Sequence, residues 1–218
     1  MKKSRRHKTM QLNPSKIQGL YAITPDLEDT ELLCNMVEAS IKGGANIIQY
    51  RNKSAKHPQL TTQARALLKL CRSHQIPLII NDHVKLCLAL DADGVHIGSD
   101  DGDIAATKKR LGANKILGVS CYGDFERAKN AVQQGADYVA FGACFPSNTK
   151  PHAPRAELHL FTQAKILNVP CVAIGGITLE NVSTAVNAGA NAIAVIGELF
   201  NRDIQEITPC AKQFSSFF

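Results

Sequence analysis

The sequence predicts an α/β fold, a single-domain (β/α)8 TIM barrel. Three observations predict it. Eight short apolar runs, of the kind buried on both faces in a parallel sheet, alternate with amphipathic segments along the 218 residues. They recur every roughly 16 to 33 residues, and such alternation demands parallel strands joined by helical crossovers. No Gly-x-Gly-x-x-Gly follows the first run, so the signature of the main rival, an open doubly wound sheet, is missing.

Taken in order, residues 19–24 (GLYAIT) form the first strand, closed by Pro25. Residues 30–42 are a helix with Leu32, Leu33, Met36, Val37 and Ile41 on one face, stopped by Gly43-Gly44. Strand two is 45–51, followed by a helix over 58–74 with Leu60, Ala64, Leu67 and Cys71 at helical spacing. Strand three is Leu78-Ile79-Ile80, and strand four runs from Gly94 to Ile97, with an amphipathic segment between them. A helix over 104–111, strand five over 115–121, a helix over 125–134 and strand six over 138–144 follow. A helix is expected over 154–167, strand seven over 171–176, a helix over 179–188, strand eight over 192–196, and then a last helix. Gly44-Ala45-Asn46, Gly135-Ala136-Asp137 and Gly189-Ala190-Asn191 precede strands two, six and eight and mark a repeated helix-to-strand turn.

Composition is ordinary for a globular chain, with 44% hydrophobic and 20% charged residues. The formal charge is +6, but Lys2, Lys3, Arg5, Arg6 and Lys8 carry five of those charges, so the body sits at about +1. Residues 1–16 read as a short, solvated, disordered basic tail ahead of a barrel over 17–218, rather than as an arm for nucleic acid. No apolar stretch follows the tail, so it is not a secretory signal, and no run approaches the ~18 residues of a membrane span. Seven cysteines, odd in number and without Cys-x-x-Cys, sit mostly in apolar runs, as reduced core thiols of a cytoplasmic protein do.

Chemistry in a parallel barrel collects where the strands end. Strand two ends Gln49-Tyr50-Arg51-Asn52-Lys53, and alternation turns Gln49, Arg51 and Lys53 the same way. Two cations at a strand mouth are costly unless an anion meets them, though Arg51 pairing with an acid across the rim would serve as well. Strand three runs into Asn81-Asp82 and strand four into Gly98-Ser99-Asp100-Asp101. Asp82 and Asp101 therefore open on one rim, where a hard cation such as Mg2+ takes a few carboxylate oxygens plus water or phosphate. The competing reading makes both of them helix N-caps. Strand six leads into Phe145-Pro146-Ser147-Asn148-Thr149-Lys150, hydroxyls and a lysine suited to phosphate oxygens. Gly175-Gly176 and Ile196-Gly197 expose backbone amides after strands seven and eight, the usual phosphate cradle of such barrels, although a glycine pair also serves a tight turn. The rim thus carries a charged, metal-suited patch (Arg51, Lys53, Asp82, Asp101, Lys150) and a separate neutral nest. Two phosphorylated ligands, one with Mg2+, would use both.

In this order and at these strand ends, Gln49-Tyr50-Arg51-Asn52-Lys53, Ile80-Asn81-Asp82, Ala92 to Gly98 with Asp101, Gly118-Val119-Ser120, Phe145 to Lys150 and Ala173 to Ile177 resemble the thiamine-phosphate synthase family. The resemblance runs from about Leu20 to Phe200. It implies a transferase that joins a hydroxymethylpyrimidine diphosphate to a thiazole monophosphate, giving thiamine monophosphate and pyrophosphate. It implies that Gln49, Arg51, Lys53 and Asn81 bind the pyrimidine diphosphate, with Ser120 and Lys150 also touching it. Asp82 and Asp101 would hold Mg2+, the one cofactor implied. Ser147 and Thr149 would bind the thiazole phosphate with Gly176, Ile196 and Gly197. Arg51, Lys53, Ser120 and Lys150 would carry the catalysis. The implied partners are two small phosphorylated substrates, without nucleic acid or membrane, and the oligomeric state is left open.

Four positions depart from the family pattern. Ser147 stands for a common Thr, Ser99 for a Gln, Tyr122 for a His often found two residues after Ser120, and Gly197 for a Ser. None removes a charge the chemistry needs. Two other readings compete: a thiazole tautomerase-like isomerase, and a non-catalytic barrel that binds thiamine precursors. The first tends to lose the Asn-Asp pair and the lysine-bearing patch and to use a His near Tyr122, whereas this chain keeps Asn81, Asp82, Asp101 and Lys150. The second would not need a metal pair. His96 has no assigned role and is expected to be a hydrogen-bonded histidine at the barrel end.

Overall fold

The computed structural model describes residues 17–146 and 155–218. Eight parallel strands close into a barrel in sequence order, as the alternation predicts. They are β1 (Gly19–Ile23), β2 (Ala45–Tyr50), β3 (Leu78–Asn81), β4 (Gly94–Ile97), β5 (Ile116–Tyr122), β6 (Tyr138–Phe141), β7 (Cys171–Ile174) and β8 (Ala192–Val195). The helices are α1 (Thr30–Lys42), α2 (His57–Ser73), α3 (Val84–Leu90), α4 (Ile104–Leu111), α5 (Phe125–Gln133), α6 (His159–Gln163), α7 (Val182–Ala188), α8 (Gly197–Phe200) and α9 (Ile204–Ser215). No helix among the described residues is long and apolar enough to cross a membrane.

Period-two alternation along the strands makes two cores. Inward-pointing Tyr21, Ile47, Ile79, Ile116, Tyr138 and Val172 fill the barrel, while Ile48, Tyr50, Ile80 and Val95 face the helices. Each fully buried isoleucine contributes about 1.5–3 kcal/mol of transfer free energy. The helices start where short acids follow strands. Asp29 caps α1 by accepting from Glu31 and Leu32 N–H, Asp103 caps α4 through Ala106 N–H, and Asp124 caps α5 through Arg127 N–H. All seven cysteines are free thiols, six of them buried. Burial pushes Cys87 and Cys121 up to about 12 and Cys144 and Cys171 up to about 11, which leaves them unreactive core groups.

The strands enter the barrel through a repeated clamp. Asp93 Oδ2 accepts from Leu78 N–H at 2.8 Å, Asp137 Oδ2 from Leu117 N–H at 2.7 Å, and Asn191 Oδ1 from Cys171 N–H at 2.8 Å. In each case the clamping residue's own N–H bonds back to the carbonyl of the same residue. The Gly-Ala-Asp/Asn turns before β6 and β8 position two of these clamps. Asn46 differs, since its side-chain amide donates to the Gln18 carbonyl.

Two expected helices are shorter than their sequence pattern. Within the helix expected over 154–167, Arg155 to Glu157 are not helical, because Ala156 N–H is drawn to the Ala143 carbonyl beside β6. The helix then occupies His159–Gln163 and continues as a 3-10 turn over Ala164–Leu167. The helix expected over 179–188 begins at Val182, because Asn181 is used locally. Its Oδ1 accepts from Thr178 N–H and its Nδ2 donates to the Gly176 carbonyl, pinning the turn after β7.

Candidate active site at the strand ends

The mouth is built first by a clasp between β1 and β2. Thr24, fully buried just past β1, donates its hydroxyl to the Arg51 carbonyl at 2.8 Å and accepts from Arg51 N–H at 2.9 Å. This fixes the turn after β2. Alternation then sends Tyr50 and Asn52 outward, where both bond the buried Gln63 of α2, and leaves Gln49, Arg51 and Lys53 on the mouth side. Arg51 Nη1 lies 3.0 Å from Asp26 Oδ1, which also accepts from Lys53 N–H at 3.0 Å. The acid across the rim, left open by the sequence, is therefore Asp26. Lys53 Nζ reaches Asp82 Oδ2 at 3.5 Å, and Asn81 lines the same cleft.

Asp82 and Asp101 come together. Asp82 takes a left-handed φ of 61°, with its N–H held by the His96 carbonyl at 2.8 Å, and this turns its carboxyl off the line of β3. Neither acid caps a helix. The N-cap of α3 is His83, without a side-chain bond, and that of α4 is Asp103. Asp101 instead closes its own loop, accepting from Gly98 N–H at 2.7 Å. Burial first, and then hydrogen bonding and repulsion from Asp101, hold the Asp82 carboxyl above its ordinary range, with Lys53 opposing. Two facing carboxylates, one with a raised affinity for protons, are suited to a cation. Among the described residues no cluster of three or more His, Cys, Asp or Glu side chains could hold a metal unaided. The pair fits Mg2+ nonetheless, because that ion keeps several waters and takes one or two carboxylates plus substrate phosphates. Among the described residues, three acids (Asp26, Asp82, Asp101) and two bases (Arg51, Lys53) line this half of the mouth.

Beneath the mouth lies a polar layer. Gln49 Nε2 donates to Tyr21 Oη at 3.0 Å, and Tyr21 Oη lies 2.8 Å from Tyr138 Oη. His96 bridges Tyr138 Oη through Nδ1 at 2.9 Å and Ser120 Oγ through Nε2 at 2.8 Å. Register explains the stacking: His96 pairs with Gly118, and Gly118 with Tyr138, so all three lie at one height. Gly118 is bare because a Cβ there would run into the Tyr138 ring, and its absence lets the His96 and Tyr138 rings stack at 5.6 Å. Burial lowers the His96 imidazole to about 4, Asp101 opposing, so it is neutral near pH 7. This is the hydrogen-bonded histidine the sequence expects at the barrel end.

On the far side, β7 gives way to Gly175 and Gly176 at φ of 97° and 65°. A Cβ on Gly176 would collide with the Phe145 and Pro146 carbonyls, so only glycine lets these two loops touch. Ile196 packs on the barrel interior, and Gly197 opens the one-turn α8. Ser147, Thr149 and Lys150 lie outside the described residues. Of the departures from the family pattern, two meet: Tyr122 Oη lies 3.1 Å from Ser99 Oγ and accepts from Ser99 N–H at 3.3 Å. Arg127 stands over the Tyr122 ring at 5.6 Å. Sequence reasoning missed Asp26, Tyr21 and Tyr138. Asp26 sits in an irregular loop after Pro25, where no periodicity assigns a direction. The tyrosines passed as core aromatics, although a mid-strand glycine at 118 signals a large ring opposite.

Residues 20–199 match the model of a family described as thiamine monophosphate synthase. A thiamine-phosphate synthase of Methylobacillus flagellatus is 57% identical over 202 residues, covering 93% of this chain and 96% of the relative. One from Chromobacterium violaceum is 52% identical over 190 residues, covering 87% and 92%. Among solved structures, thiamine phosphate pyrophosphorylase from Pyrococcus furiosus superimposes with a TM-score of 0.81 at 29% identity, covering 94% of this chain and 96% of that one.

Proposed function

The chain belongs to the thiamine monophosphate synthase family, and from that premise we propose that it condenses 4-amino-2-methyl-5-hydroxymethylpyrimidine diphosphate with 4-methyl-5-hydroxyethylthiazole phosphate. The products are thiamine monophosphate and pyrophosphate. The observation that carries this reading is the facing pair Asp82 and Asp101 beside Lys53, at the end of the barrel where such chemistry sits.

The reaction breaks the bond between the pyrimidine's exocyclic methylene carbon and the diphosphate oxygen, and forms one from that carbon to the thiazole nitrogen. The electron pair leaves with pyrophosphate, and the pyrimidine's amino group feeds charge to the carbon as the bond loosens. What the protein must supply is neutralisation where charge develops. Arg51 and Lys53, with Lys150, bind the diphosphate oxygens. Gln49 and Asn81 orient the pyrimidine, and Ser120 donates a hydrogen bond to the same substrate. Asp82 and Asp101 would hold Mg2+, which supplies Lewis-acid stabilisation of the leaving diphosphate. Ser147 and Thr149, with the amides around Gly176, Ile196 and Gly197, take the thiazole phosphate. No protein nucleophile is required, which agrees with a mouth where the buried histidine, His96, is already held by Tyr138 and Ser120.

The test is pyrophosphate release by the purified chain. Release is expected only when both phosphorylated substrates and Mg2+ are present, and chelation should abolish it. Release from the pyrimidine diphosphate that ignores Mg2+, or none with everything present, overturns the assignment.

A further inference from the structure

Five side chains from five strands form one continuous hydrogen-bonded path through the barrel: Gln49, Tyr21, Tyr138, His96 and Ser120, at 3.0, 2.8, 2.9 and 2.8 Å. The first four are at most 8% exposed. Its two ends reach the mouth at β2 and β5, on different sides of the barrel. We infer that this path is a polarity relay, in which Gln49 fixes the tautomer of His96 and thereby makes Ser120 a hydrogen-bond donor to substrate. This rests on the proposed reading only in that Ser120 meets the pyrimidine diphosphate.

Proton counting sets the direction. A phenol has one proton to give. Gln49 donates to Tyr21, and Tyr138 Oη is the one other bonding partner of the Tyr21 hydroxyl among the described residues, so the Tyr21 proton goes to Tyr138 and the Tyr138 proton goes to His96 Nδ1. His96 must then accept at Nδ1 and carry its proton on Nε2, which it gives to Ser120 Oγ. Ser120, already accepting, keeps its own proton free for a ligand. Reversing any one link alone leaves two protons facing each other, none between a pair, or a buried hydroxyl proton without an acceptor, so the chain turns over as a whole or not at all. Burial supports this, since Gln49, Tyr21, Tyr138 and His96 are shielded from solvent, and no buried side-chain polar atom among the described residues lacks a partner. Register supports it too: the bare Gly118 between His96 and Tyr138 holds their rings stacked at 24° and keeps Nδ1 against the phenol. Tyr21, Tyr138 and His96 are positioning residues here, acting through Ser120 without touching substrate.

Histidine 15N NMR on the full chain without substrate tests it. Wild type should show His96 neutral at pH 7 with the proton on Nε2, and a proton on Nδ1 overturns the assigned direction. Gln49→Met keeps the length of the side chain but removes the donor at the start, so neither direction is favoured and His96 should lose its single tautomer. A folded Gln49→Met protein with an unchanged His96 overturns the coupling. Should that variant not fold, Tyr138→Phe decides. It keeps the ring against Gly118 but cuts the path, so His96 should lose its single tautomer, and retention of the wild-type state overturns the relay. In the same variant kcat should fall about tenfold with KM for the diphosphate within about twofold, the pattern of a lost transition-state contact, and an unchanged kcat overturns the positioning role. Because the tautomer is read without turnover, a wild-type protein inactive with both substrates sinks the proposed function and leaves the relay standing.

Discussion

The two ends of the barrel are made from the same kinds of residue and use them differently. At the end where strands enter, acids and amides repeat a single role. Asp93, Asp137 and Asn191 each pin an amide at the start of a neighbouring strand at 2.7–2.8 Å. At the end where strands leave, no two finish alike. Asp82 bends into a left-handed turn, Asp101 closes a loop, and Gly175-Gly176 strips away side chains. A carboxylate at the entry is satisfied by the fold itself. At the mouth, Asp82 and Asp101 are left with each other, neighbours of their own sign. The entry uses its polar groups for stability, and the mouth keeps its polar groups for something outside the chain.

The sharpest way to break this contrast is to remove one acid from each end. Asp82→Ala should lower turnover by at least about a hundredfold, while its melting temperature holds or rises, because a carboxyl that burial and Asp101 hold protonated too readily is a cost to the fold. Steady-state pyrophosphate release and thermal unfolding on one preparation check both. Asp137→Ala should do the reverse. It strands the Leu117 amide and leaves the Lys108 ammonium, which lies 2.6 Å away, with only the Lys115 carbonyl, and should cost about 2–3 kcal/mol of stability. Its kcat at a temperature where it is folded should stay within about twofold of wild type. A stable, active Asp137→Ala protein would dissolve the division of labour.

A second effect follows from the polar layer between the ends. Burial depresses His96 to about 4, against about 6.5 in an unfolded chain. Between those values the unfolded histidine binds more protons, so the His96 contribution to stability falls as pH drops from 6.5 towards 4 and is constant above. The loss approaches about 3 kcal/mol at full protonation. Urea unfolding at pH 7.5 and pH 4.5 should show the decline, and His96→Gln should flatten its own share of it, since an amide can replace the hydrogen bonds but does not titrate there.

How much of this was legible in the sequence follows from the same contrast. Strand order, the paired acids after β3 and β4 and the glycines after β7 could be read from period and place, because a parallel barrel sends every strand end to one rim. The direction of Gln49 and Arg51 followed from alternation along β2. Asp26 did not follow, because its partner Arg51 is 25 residues away and only the Thr24 clasp brings the loops together. The relay was hidden for another reason. Tyr21 and Tyr138 bury like phenylalanine, and the single proton that matters leaves no mark on hydropathy. The helix starts at His159 and Val182 escaped the pattern because Ala156 and Asn181 bond to loops that no local periodicity reveals.

The smallest expected effect probes where the mouth depends on its own rim. Tyr122 has a left-handed φ of 55°, unusual for so large a residue, and β5 shifts register between Ser120 and Tyr122. That bulge swings the phenol across to the β4 loop, where it meets Ser99 twice, two residues before Asp101. The ring is 41% exposed, so Tyr122→Phe should hardly change the melting temperature. What it removes is a tether on the loop that presents Asp101, worth about 0.5–1.5 kcal/mol where solvent does not compete and less here. The Mg2+ concentration for half-maximal pyrophosphate release should therefore rise about two- to fivefold, with kcat at saturating Mg2+ unchanged. A fall in kcat that excess Mg2+ does not restore would mean that Tyr122 acts on the substrate directly, and that this edge of the mouth belongs with the reacting groups instead of with the scaffold that aims them.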